Sequence, residues 1–418
     1  MRRVRLPCSG TRRQNESKGV RSSRRCNQLA VSFAIRIERP GQRLGVKFLS
    51  IQALRALAAL LVVVFHAQAL CNKYARAPSS SESFIKGFGQ YGVDLFFVLS
   101  GFVILYTARR SHASAGGFLA RRLIRIVPIY WILTGAMLLL MAAIPAAFSS
   151  HGSFDPLLVL RSLTFTSRAL NTAQDPIIYV GWTLEYEMLF YLLVTLTLLA
   201  SLPVYRTLGL FFIAVYTSLH LFVPEARVIG NFWNFLASPL LFEFLFGVFL
   251  GELTLQNTLR VTDIAIVALA PVVVAVLEGP NRLLFAGLPA TAIVWLALRT
   301  DSTTRQWKIT PILVLLGNAS YSIYLLQVLA LPAIGKLWLR FTPTLPPDLL
   351  VLVATVLAAL AGVLLYKLVE HPLQKVLQAA LLRQPTAGSQ AGIQPPTLRT
   401  VVQVHHPGKL QSHQRGGK

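Results

Sequence analysis

Apolar stretches, many near the length that carries an α-helix across a bilayer core, alternate with short polar breaks over most of this chain. Ten such segments stand at about 48–70, 90–108, 126–148, 186–200, 206–223, 235–255, 262–278, 281–298, 311–335 and 347–370. Pro203, Pro224, Gly279-Pro280 and Pro346-Pro347 mark several of their boundaries, as residues that interrupt a helix should. The fourth segment is short, with room to begin earlier, near Trp182. In hydrocarbon a backbone must satisfy its own N–H and C=O groups. The expected fold class is therefore all-α, a polytopic transmembrane bundle of about ten helices.

Composition strengthens that reading. Of 418 residues, 54% are hydrophobic and only 13% charged, about half the charged share of a soluble domain. The formal net charge is +24, from 40 Lys and Arg against 16 Asp and Glu. In a soluble protein such an excess would suggest a nucleic-acid partner. Here the basic residues gather in the tails and a few short loops, without interleaved aromatics, so no nucleic acid is expected. With the N-terminus cytoplasmic, 30 of the 40 fall on that side, nine on the other, and Arg55 lies inside the first span. This bias and the even number of spans place both termini in the cytoplasm. Cys8, Cys26 and Cys71 lack metal-ligand spacing. They suggest no disulfide framework, cysteine nucleophile or metal site.

Three regions follow. Residues 1–47 hold thirteen Lys and Arg among Ser, Gly and Asn and read as a basic disordered tail. It has no apolar core of the signal-peptide kind. The string Val46-Lys-Phe-Leu-Ser-Ile-Gln52 resembles the opening of a membrane protein, so the true start is expected near residue 46. Residues 48–370 form the membrane domain. Residues 371–418, rich in Gln, Pro and Gly, are expected to be a disordered cytoplasmic tail.

An ionisable side chain within a span is costly and needs a reason. The first span carries Arg55 and His66, eleven residues apart. At about 100° per residue they share one helix face, about 16 Å apart along the axis. Such a stripe suits a helix lining a hydrated cavity, although a snorkelling Arg55 and a His66 bonded to a carbonyl would satisfy the same pattern. Asp94 opens the second span at the end toward which His66 points. A carboxylate there could fix the imidazole tautomer, or it could simply face water. Ser100-Gly101 suggests a close helix contact more than a nucleophile.

Arg121, Arg122 and Arg125 lie in an acid-free stretch before the third segment. If helical, Arg122 and Arg125 share a face and can grip phosphate. Positive-inside anchoring on anionic membrane lipids accounts for the same residues. Glu185 and Glu187, two apart, cannot point the same way on a helix, so at most one enters a cavity. Glu243 and Glu252 are further candidates for burial, with a structural role as good an explanation.

Five strings, in order, resemble the acyltransferase 3 family of membrane enzymes, specifically its exopolysaccharide-modifying branch. They are Ile51-Gln-Ala-Leu-Arg55 through His66, Tyr91-Gly-Val-Asp-Leu-Phe-Phe-Val-Leu-Ser-Gly-Phe102, Arg122-Leu-Ile-Arg-Ile-Val-Pro128, Trp182-Thr-Leu-Glu-Tyr-Glu187 with Phe190-Tyr191, and Ser320-Tyr-Ser-Ile-Tyr-Leu325. The resemblance covers about residues 47–372. It implies a ten-helix core in a bacterial inner membrane and an acyl-CoA donor, usually acetyl-CoA, used as a co-substrate without a permanently bound cofactor. The implied acceptor is a polysaccharide or its lipid-linked oligosaccharide precursor. His66 is similar to the family's essential histidine and Arg55 to its partner arginine. Arg122 and Arg125, with Arg121 beside them, look like the arginines that meet the donor. Glu187, rather than Glu185, matches the acid after Trp-Thr-Leu. Gln327 departs from the pattern, because many relatives carry histidine there.

Moving an acyl group from a thioester to a hydroxyl needs a base, oxyanion stabilisation and a grip on the donor. His66 is the expected base, Arg55 helps with donor or charge, and Asp94 and Glu187 complete the catalytic set. No activated Ser or Cys is apparent, so transfer is expected to be direct. The principal rival is a secondary transporter or flippase, in which the same charges would mark a solute or proton path. Against it, the two halves show no sequence repeat. A peripheral glycerolipid acyltransferase would need Asp four residues beyond a histidine's neighbour, where His66 has Cys71. A purely structural scaffold leaves the Arg55–His66 stripe unexplained.

Overall fold

The computed structural model describes residues 48–74, 80–110, 114–144, 155–171, 174–222, 231–256, 261–279, 281–341 and 346–381. The basic tail 1–47, the alternative start near 46 and the tail beyond 381 lie outside the described residues. Among those described the chain is helical, without strands. Helices α1 (Leu49–Tyr74), α2 (Glu82–Phe88), α3 (Tyr91–Arg110), α4 (Ala115–Ala143), α5 (Pro156–Leu163) and α6 (Ser167–Leu170) precede a 3-10 turn at Tyr179–Gly181. Then come α7 (Trp182–Leu199), α8 (Val204–Phe222), α9 (Asn231–Leu236), α10 (Leu240–Gln256) and α11 (Val261–Glu278). A π turn at Leu283–Gly287 leads to α12 (Leu288–Arg299), α13 (Asp301–Thr304), α14 (Thr310–Asn318), α15 (Ser320–Phe341) and α16 (Pro347–Leu365). A second π turn, Tyr366–Glu370, continues α16 into α17 (His371–Leu381).

Eight of the described helices are long and apolar enough to cross a bilayer, and the apolar helix Leu283–Arg299 is shorter. With the 18-residue α11, each of the ten apolar segments is helical. The protein is a multi-pass membrane protein. Three boundaries differ from expectation, and the fourth segment takes the earlier start open to it. Ser114 caps α4 by accepting from the Gly117 N–H at 3.1 Å, so the third span starts eleven residues early and takes Arg121, Arg122 and Arg125 into the helix. The fourth begins at Trp182. The ninth breaks at Ala319 into α14 and α15. The tenth runs on through Leu381, so residues 371–381 are helix and not disordered tail.

Helix α1 packs against α3, α14, α15 and α16, which gives its polar stripe protein neighbours. Its first turn is capped from a distance: Asp301 Oδ1 accepts from both the N–H and the hydroxyl of Ser50 at 3.0 Å. Helices α3 and α10 approach most closely. A Cβ at Gly101 would stand 2.0 Å from the Phe244 carbonyl oxygen, and one at Gly247 would stand 2.0 Å from that of Val98. Small residues permit this contact where the hydrophobic effect cannot drive helices together. Gly101 is thus the close contact that the Ser-Gly pair suggested. Pro128, inside α4, lacks the N–H that continues a helix. Nearby carbonyls take outside donors: Gln374 Nε2 to Arg125 at 3.3 Å and Tyr321 OH to Ile126 at 2.7 Å.

Candidate active site

A cavity of about 770 Å³, including its open mouth, lies between α1, α3, α4, α7 and α15. That is within the size range of small-molecule sites. Along α3 its wall runs from Ile104 to Val93, a depth of about 16 Å at helical rise. The end with Ile104, Arg122 and Arg125 is the one at which α1 begins. The deep end holds Val93, Thr183 and Tyr324.

Arg55, Arg122, Arg125 and Glu187 all line this cavity. Arg55 Nη2 donates to Ser320 Oγ at 2.8 Å and Nη1 to Gln52 Oε1 at 3.3 Å. Ser320, first residue of the Ser-Tyr-Ser-Ile-Tyr string, therefore aims the guanidinium. Arg122 is buried, donates to the Val103 carbonyl at 3.1 Å and to Thr107 Oγ, and lies over the Phe118 and Tyr191 rings. It binds α4 to the carbonyl end of α3, a favourable place for a cation. The Arg125 guanidinium makes no hydrogen bond or ion pair with the described residues and lines the cavity, available to a ligand, while its carbonyl accepts from Gln374. Arg121 is half-buried and stands outside the cavity wall. The i, i+3 pair shares the cavity face, as helical geometry requires.

Glu187 supplies the one carboxylate among the lining residues. Its Oε1 accepts from Tyr191 OH at 2.5 Å and from Ser100 Oγ at 3.3 Å. Glu185 turns away and accepts from the Arg168 and Ala169 backbone N–H groups at 2.9 and 3.4 Å, closing the start of α6. Only one of the two acids enters the cavity.

His66 does not line the cavity. Its Nδ1–H donates to the Val62 carbonyl at 2.8 Å. A carbonyl only accepts, so the proton sits on Nδ1 and Nε2 keeps its lone pair. The ring lies against Tyr179, centroids 5.3 Å apart. Asp94 corrects the expectation placed on it. It is wholly buried and bound by Arg282, Nε to Oδ1 at 2.6 Å and Nη2 to Oδ2 at 2.7 Å, with Glu243 buried beside the pair. The tautomer of His66 is set by its own helix, and Asp94 ties α3 to the turn before α12. Glu252 pairs with Arg109 at 2.9 Å.

Sequence reasoning passed over Arg282, Glu370, Thr183 and Tyr324. Glu370, buried in the second π turn, accepts from Ser322 Oγ at 2.5 Å and Gln374 Nε2 at 3.0 Å. As an acid ending the last apolar segment it carried a signal, since π turns gather at functional sites. Gln327 is buried, with Nε2 donating to the Tyr324 carbonyl at 3.0 Å. Among the described residues no His, Cys, Asp and Glu cluster has the form of a metal site.

Comparison with known proteins gives consistent results. Residues 48–367 match the acyltransferase 3 family, described as an acyltransferase domain. The exopolysaccharide production protein ExoZ of Rhizobium meliloti (strain 1021) is 30% identical over 320 residues, 72% of this chain and 93% of the relative. BcsY of Komagataeibacter xylinus, whose name designates it a membrane-bound transacylase, is 28% identical over 300 residues, 66% of this chain and 70% of that protein. No solved structure matches. A helical membrane bundle, a cavity rich in arginine and a family match spanning nearly all of that bundle lead to one conclusion: this chain belongs to the acyltransferase 3 family and is an acyltransferase.

Proposed function

We propose that the protein transfers an acyl group, acetyl in the simplest case, from acyl-CoA to a sugar hydroxyl of an exopolysaccharide or its lipid-linked precursor. It would do so in a bacterial inner membrane with both termini cytoplasmic. The observation that carries this reading is the charge of the cavity: Arg55, Arg122 and Arg125 line it with one carboxylate, Glu187, and the buried Glu370 near Arg55 and Arg125 still leaves the set net positive. Unbalanced buried cations are costly and favour an anionic occupant. A donor bearing phosphates fits that charge, with Arg125, at the end where α1 begins, for its phosphates and its thin thioester arm running inward toward Thr183. The donor phosphates would then enter from the side with the greater Lys and Arg count, the cytoplasm.

In this mechanism Nε2 of His66 takes the proton of the attacking sugar hydroxyl. The oxygen bonds to the thioester carbon, the C–S bond breaks, and the thiolate leaves and is protonated to free CoA. Arg55, held by Ser320 and Gln52, steadies the donor's negative charge. The name of ExoZ concerns exopolysaccharide production and that of BcsY transacylation. Both support this acceptor class and reaction.

The test uses purified protein in lipid nanodiscs with acetyl-CoA and oligosaccharides from deacetylated exopolysaccharide. Acceptor-dependent release of CoA thiol together with an ester on the sugar is expected. Solute uptake by proteoliposomes without acyl-CoA, and no ester from any acyl-CoA, would replace this reading with the transporter.

A further inference from the structure

The base and the donor cavity occupy different compartments. His66 and Arg55 are about 16 Å apart along α1, and the cavity that Arg55 lines stops at Thr183 and Tyr324. Tyr324 OH donates to the Val180 carbonyl at 2.9 Å and lies 2.9 Å from Thr183 Oγ. Thr183 Oγ in turn reaches the Val180 carbonyl at 3.1 Å. The Tyr324 ring is braced on its other side by Phe96, centroids 5.8 Å apart. Val180 is the middle residue of the 3-10 turn Tyr179–Gly181, and the first residue of that turn rests on the His66 ring. One short turn is therefore the shared wall: Tyr324 holds it from the donor side and His66 meets it from the other.

The fastening is tight but not saturated. Two hydroxyl protons serve three short oxygen–oxygen contacts, so one contact lacks a proton at any moment. Such a triad can rearrange by rotating hydroxyls and does not require unfolding. Tyr179, by contrast, is 36% exposed. An acceptor seated there would press on the turn that Tyr324 holds.

We propose that Tyr324 is a specificity-determining residue that keeps the donor thioester from the His66 base, and from water activated there, until an acceptor hydroxyl is seated at Tyr179 and His66. This rests on the acyl-transfer reading above. Water competes for the same bond: in transfer the sugar oxygen forms the new C–O bond as C–S breaks. In hydrolysis a water oxygen does so, giving free carboxylic acid and CoA thiol. Both routes deliver a proton to the base and release the same thiol. A closed deep end starves the second route.

The experiment measures thiol release from acetyl-CoA alone by purified protein in nanodiscs, and ester formation once oligosaccharide is added. Tyr324→Phe keeps the ring against Phe96 and removes the hydroxyl. It should raise acceptor-free thiol release about tenfold, the scale of one lost hydrogen bond, and lower the ester formed per thiol released. Thr183→Val should shift the same ratio in the same direction. Adding His66→Ala should abolish the increase, which ties the extra thiol to that base. Wild-type transfer with unchanged acceptor-free release in both single variants overturns the gate and leaves acyl transfer standing. A wild type that neither releases thiol nor forms ester overturns both.

Discussion

Asp94 accepts two hydrogen bonds from the Arg282 guanidinium, at 2.6 and 2.7 Å, with its carboxylate wholly buried and the arginine partly open. The acid lies in the first turn of α3, where the helix dipole also favours negative charge. Removing one partner of a buried pair strands the other, at about 3–5 kcal/mol. Arg282→Ala should therefore lower the melting temperature of the detergent-purified protein markedly. Replacing both residues with apolar ones should recover much of that loss. If Asp94→Asn instead melted like the wild type and abolished transfer, a catalytic role for this acid would be restored.

His66→Ala should insert and fold normally, because the imidazole bonds only to its own helix at Val62 among the described residues. Loss of a general base costs roughly 10²–10⁴-fold in rate. Acylation of the sugar by purified variant and wild type checks this. Transfer should also fall as pH drops through the imidazole range, since protonation of Nε2 removes the lone pair that accepts the hydroxyl proton. Near-wild-type ester formation by the alanine variant would require another base.

Arg125 and Arg122 should separate by readout. The Arg125 guanidinium lines the cavity with no side-chain hydrogen bond among the described residues, so Arg125→Ala should raise the KM for acyl-CoA about tenfold, the scale of a charge-assisted hydrogen bond, with little change in thermal stability. Arg122 binds α4 to α3 through Val103 and Thr107. Arg122→Ala should lower stability as well as activity. Equal melting temperatures for the two variants would show that the α3 contact carries no stability.

Gly247→Leu should prevent accumulation of folded protein. A Cβ there would stand 2.0 Å from the Val98 carbonyl, and neither backbone can yield without parting α3 from α10. Overpacking costs about 1–3 kcal/mol even where side chains can adjust. Size-exclusion profiles of the tagged protein report the outcome. Gly116→Leu, at an exposed position where a Cβ meets nothing within 4 Å, is the matched control and should leave the profile unchanged.

The membrane class was legible in the residues alone, because bilayer thickness and backbone satisfaction act on any apolar run of sufficient length. Helical spacing also told that at most one of two acids enters a cavity and that Arg122 and Arg125 share a face. Both follow from geometry within one helix. Which elements meet is settled by packing in three dimensions. No local pattern pairs Asp94 with Arg282, 188 residues away, or sets Tyr324 against Val180 across 144 residues. The shared stripe of Arg55 and His66 was legible, but their common cavity was not realised: the wall between them comes from α15 and the turn before α7, segments far off in the chain. Helix periodicity fixes a side chain's direction, while neighbours brought by packing fix what it touches.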